Sequence, residues 1–104
     1  MLNLYLHNDG APFTSDPDEK LHLIGISLEE FGELKRLQFK PEILNFHDDC
    51  IWKSELVKIL LKNTSARLDK LKQTPGFRSD CLERFEAALK TALRKGYGLL
   101  FLCD

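Results

Sequence analysis

The chain has 104 residues, 43% of them hydrophobic and 30% charged, with 15 basic side chains against 16 acidic ones. That length suits one domain of about 100–150 residues, large enough to hold together without a disulfide or a metal. The composition excludes disorder and low complexity, and no apolar run approaches the roughly 20 residues of a membrane span.

Leu2-Asn3-Leu4-Tyr5-Leu6-His7 alternates apolar and polar residues, the period-two pattern of a half-buried strand. Asn8-Asp9-Gly10 is turn chemistry and opens a long acidic loop at about 8–20, with Phe13 as its one bulky anchor. Leu21-His22-Leu23-Ile24-Gly25-Ile26 reads as a second strand.

Ser27-Leu28-Glu29-Glu30 has the Ser-x-x-Glu spacing of a capping box and starts a helix. Leu28, Phe31, Leu34 and Leu37 form its expected inward stripe, and Pro41 ends any continuation. Residues 42–46 read as a short strand, with a helical turn as the alternative. Residues 50–62 read as a second helix, capped by Asp49 or Ser54, with Trp52, Leu56, Ile59 and Leu60 on one side. Asn63-Thr64-Ser65 interrupts the pattern before a short third helix over Ala66, Leu68 and Leu71.

Asp80-Cys81-Leu82-Glu83 opens the clearest helix, with a carboxylate cap and Leu82, Phe85, Leu89, Ala92 and Leu93 inward. Gly96 is its left-handed stop. Gly98-Leu99-Leu100-Phe101-Leu102-Cys103 follows as a continuous apolar run, the signature of a strand buried on both faces. This order predicts a single-domain α/β sandwich: about four strands, partly parallel, covered by three to four helices.

Strand ends carry the residues with most chemistry. His7 with Asp9, His47 with Asp48 and Asp49, and Cys103 with Asp104 stand at the ends of the first, third and last expected strands. In parallel sheets ligands sit beyond the carboxyl ends of the strands, so parallel pairing would gather imidazoles and carboxylates for acid–base or metal-assisted catalysis. The structural alternative is that these residues satisfy turn amides and cap the helix that follows. Three scattered cysteines and no basic leader fit a cytoplasmic protein with reduced thiols. Cys81 lies near a helix start, which lowers a thiol pKa, but also beside the inward stripe, where a thiol is inert. No phosphate loop, nucleophile elbow, paired Cys-x-x-Cys or His-Glu-x-x-His occurs, and no cofactor is implied.

The balanced total conceals a contrast: residues 1–52 carry a net charge of −6 and residues 53–104 a net charge of +5. The two halves neutralise each other across the folded surface, or the acidic half meets a charged partner. The bases of the second half are spaced like wet helix faces without interleaved aromatics, which argues against nucleic acid. Asp9, Asp16, Asp18 and Glu19 in the loop, with Asp48, Asp49 and Trp52, are therefore the candidate residues for binding a basic protein.

The tail Asp80-Cys81-Leu82-Glu83-Arg84-Phe85 through Lys95-Gly96-Tyr97-Gly98-Leu99-Leu100-Phe101-Leu102 resembles the last helix and strand of barstar-type inhibitors. In size and make-up the chain is similar to small bacterial immunity proteins, which neutralise a cognate toxin by tight binding. That resemblance implies a non-enzymatic inhibitor whose partner is a toxin domain. An added early strand and the acidic loop depart from barstar, so no binding residue is carried over. Two alternatives stand beside it: a small enzyme using His7, Asp9, His47, Asp48 and Asp49, and self-association of acidic and basic halves.

Overall fold

The computed structural model describes residues 1–36, 49–77 and 79–103. Four strands, β1 (Leu2–His7), β2 (His22–Ile26), β3 (Cys50–Trp52) and β4 (Gly98–Cys103), form one sheet in the order β2-β1-β4-β3. Among the described residues three α-helices accompany them: α1 (Leu28–Arg36), α2 (Ser54–Lys72) and α3 (Asp80–Arg94). Mixed helix and strand content is as the sequence predicts. Parallel pairing is not, because every neighbouring pair runs antiparallel.

The correction has a simple cause. The second and third expected helices are one continuous 19-residue helix, α2, and Cys50–Trp52 is a strand before it. Two long helices therefore separate β3 from β4. At 1.5 Å per residue, α2 carries the chain out by about 28 Å and α3 returns it by about 22 Å. The next strand then starts near where the last one ended and must run the other way. The short strand expected at 42–46 lies outside the described residues.

Local signals hold where they are strictly local. The Ser27 amide donates to Glu30 Oε1 at 3.0 Å and the Glu30 amide to Ser27 Oγ at 3.1 Å, closing the capping box. In α3 the cap is Ser79, one residue before the expected carboxylate, accepting from the Leu82 amide at 3.3 Å. Gly96 takes a φ of 75°, which an L side chain adopts only at a cost.

Two inward stripes shift. Leu28 is 62% exposed, since six residues of helix turn it about 120° from Leu34. On α2, Val57, Thr64 and Leu68 are buried and Ile59 points outward at 58% exposure. The polar Asn63–Ser65 stretch does not break this helix. Ser65 instead donates to Glu86 Oε2 on α3 at 2.8 Å.

Register sorts the sheet into two faces. Leu2, Leu4 and Leu6 oppose Cys103, Phe101 and Leu99, while Trp52 also opposes Leu99. This face packs on the helices in one cluster with Phe31, Val57, Leu68, Leu82, Phe85 and Leu89. Trp52 is 1% exposed there, its ring centroid 4.3 Å from that of Phe101. Asn3, Tyr5, Leu100 and Leu102 occupy the opposite face. Leu100 is buried, yet the loop after β1 covers it where a helix was expected.

Candidate functional site

The loop after β1 is built from short-range turns. The Ala11 amide donates to the Asn8 carbonyl at 2.9 Å and the Gly10 amide to Asn8 Oδ1 at 3.0 Å. The buried His7 ring reaches the Ala11 carbonyl at 3.2 Å; a carbonyl only accepts, so Nε2 carries the proton. Further along, the Asp16 amide donates to Thr14 Oγ1 at 3.1 Å. Asp18 Oδ1 accepts from the Lys20 amide at 2.9 Å and starts a single 3-10 turn at Glu19–Leu21.

Asp9 leaves this loop and works on the fold. Its carboxylate accepts from the Ser54 amide at 2.9 Å and from the Ser54 hydroxyl at 2.5 Å. It thereby caps α2, whose own N-cap residue, Lys53, supplies no side-chain bond. The carboxyl is held below its ordinary value of 3.8, by the Ser54 hydroxyl first and the Ser54 amide second. Gly98 makes the joint fit: a Cβ there would strike the Trp52 carbonyl and stand 3.0 Å from Asp9 Oδ1.

Asp16, Asp18 and Glu19 remain exposed, and they border three cavities on the sheet face opposite the described α-helices. The first, about 280 Å³, is lined by Leu21, Tyr97 and Leu100 and by the exposed Asp16 and Asp18. The second, also about 280 Å³, shares Asp16 and Pro17 with it and extends over Tyr5 and Leu102 to Asp49. A third shares Asn3, Tyr5 and Glu19 with the second and reaches His22. The His22 ring donates to Asn3 Oδ1 at 3.0 Å and sits edge-on to Tyr5. The side chains of Asp16 and Glu19 make no hydrogen bond or ion pair with any described residue.

The candidate residues thus separate. Asp16, Asp18, Glu19 and Asp49 line connected cavities, and Asp49 also accepts from the Cys103 amide at 2.9 Å. Asp9 is a cap, and Trp52 is core and reaches no surface. His47, Asp48 and Asp104 lie outside the described residues. His7 and Asp49 do not converge: His7 opposes Gly98 at one end of β4, while Asp49 bonds Cys103 at the other. Antiparallel pairing separates them by five residues, about 16 Å.

Cys81 does not have the lowered pKa of an activated thiol. Burial first and the Glu33 carboxylate second push it up to about 11, and its thiol donates to the Glu30 carbonyl at 3.6 Å. The Arg84–Glu30 ion pair joins the two sequence halves, whereas Lys72–Glu83 and Lys90–Glu86 stay within the second half.

The cavity floor is what sequence reasoning missed. Tyr5 and Leu100 share a face only because of strand register, and Tyr97 joins them by following the Gly96 stop. Alternation along β1 does place Tyr5 opposite Leu4 and Leu6; nothing in the sequence pairs it with Leu100.

No family model, curated protein or solved structure matches this chain.

Proposed function

We propose that this chain is a protein-binding module that holds a basic partner against the open face of its sheet. In the finer form of this reading it is an immunity-type inhibitor that covers the basic surface of a toxin domain. The observation that carries the proposal is the clustering of Asp16, Asp18, Glu19 and Asp49 around connected cavities. Two of these carboxylates, Asp16 and Glu19, have no partner among the described residues, so their charge is not spent on the fold. A surface of this kind speeds the approach of an opposite charge and rejects like charge.

Affinity capture with the wild-type protein and with an Asp16→Lys/Glu19→Lys variant tests the reading. The partner is retained by the first, lost from the second and released as salt rises. As an immunity protein, this chain would also silence that partner when the two are expressed together in cells. Equal retention by both proteins, insensitive to salt, overturns the proposal.

A further inference from the structure

The cavity between loop and sheet has a composition that narrows what a partner must present. Its apolar lining includes Leu21, Leu100 and Tyr97, and the exposed Asp16 and Asp18 stand at its border. At about 280 Å³ it lies just under the usual range for small-molecule sites, and two prolines, Pro12 and Pro17, stiffen its wall. An apolar depth below an anionic rim is the complement of one type of side chain. Lysine and arginine bury an aliphatic stem and keep a cationic head at the surface.

Resting on the binding role proposed above, we infer that this cavity receives a long basic side chain of the protein partner. The stem lies over Leu100 and Tyr97, and the head meets the Asp16 and Asp18 carboxylates. Charge complementarity selects this occupant over an apolar segment, since an apolar segment would desolvate both carboxylates and leave Asp16 unpaired. The walls are already in place before binding, which spares the partner's side chain much of the ordering cost.

Three peptide probes on one Gly-Ser host separate stem from charge. One carries lysine at each variable position, and one carries norleucine, a stem without charge. The third carries 2,4-diaminobutyrate, a charge on a stem two carbons shorter. NMR titration of the wild-type protein is expected to show the lysine peptide binding about tenfold more tightly than the diaminobutyrate peptide, the effect of two methylenes leaving water. Ala11→Phe closes the cavity mouth at constant charge and is expected to abolish that preference. Thr14→Phe, on the same wall, replaces it if circular dichroism shows the first variant misfolded. Equal binding of lysine and diaminobutyrate peptides overturns the inserted side chain and leaves the acidic docking surface standing. Norleucine binding as tightly as lysine makes the cavity an apolar groove and overturns the inference. Failure of every cationic peptide to bind overturns both the inference and the binding role.

Discussion

The two faces of the sheet use the same strands for different work. On one, Leu2, Leu4, Leu6, Leu99 and Phe101 meet three helices and no water. On the other, Asn3, Tyr5, Leu100 and Leu102 meet a loop that covers them incompletely, leaving cavities bordered by carboxylates. A helix buries a strand face by periodic apolar contact, and close packing leaves few gaps larger than a water molecule. A loop held by its own turns has no such periodicity. What it covers stays partly open, and two of its carboxylates, Asp16 and Glu19, make no bond to a described residue. The first face carries stability, and the second carries the binding role proposed above.

The sharpest break of that comparison is a pair of truncations on adjacent strands. Phe101→Ala removes a fully buried ring that packs on Trp52 and is expected to cost about 3–5 kcal/mol. Tyr5→Ala, on the opposite face and partly exposed, is expected to cost about 1 kcal/mol. Urea denaturation of both variants checks the difference, and equal costs would make the loop face a second core.

Asp9 is the exception that joins the faces, because a loop residue caps a core helix. Asp9→Ala should lower the urea midpoint at neutral pH through the lost cap on α2. The sign of its pH dependence follows from the lowered pKa. A carboxyl with a lower pKa folded than unfolded stabilises the fold above the unfolded value of 3.8, and loses this as pH falls through the folded one. The gap between wild type and variant should therefore be constant from neutral pH to about 4 and narrow below it. A gap that widens in acid would show that Asp9 acts otherwise.

The sequence was most readable where a signal and its partner lie within one turn. The alternation in β1, the Ser27–Glu30 capping box, the α3 stripe and the Gly96 stop all belong to that kind. Cys50-Ile51-Trp52 failed because three residues carry no period, and only pairing with β4 makes them a strand. The α2 cap failed for a related reason: Ser54 finds its acceptor 45 residues away, in Asp9. The acidic rim was visible as composition. The sheet face beneath it was not, because it depends on Tyr5 meeting Leu100 across two strands and on a helix pair that returns the chain antiparallel.

The smallest expected effect is the most informative about the second face. Asp16→Lys with Glu19→Lys changes the net charge of the loop by four units without removing a bond among the described residues. Asp18 is left intact because its carboxylate also accepts from the Lys20 amide. Exposed substitutions of this kind shift stability by no more than about 0.5 kcal/mol each, so the urea midpoint should hardly move. Binding to a basic partner should meanwhile fall, mostly through a slower on-rate, and the fall should shrink as salt rises. A loop that served only to shield Leu100 would show the reverse pattern, with stability changed and binding untouched. Measured together, the denaturation midpoint and the association rate of this one variant separate a covering loop from a recognising one.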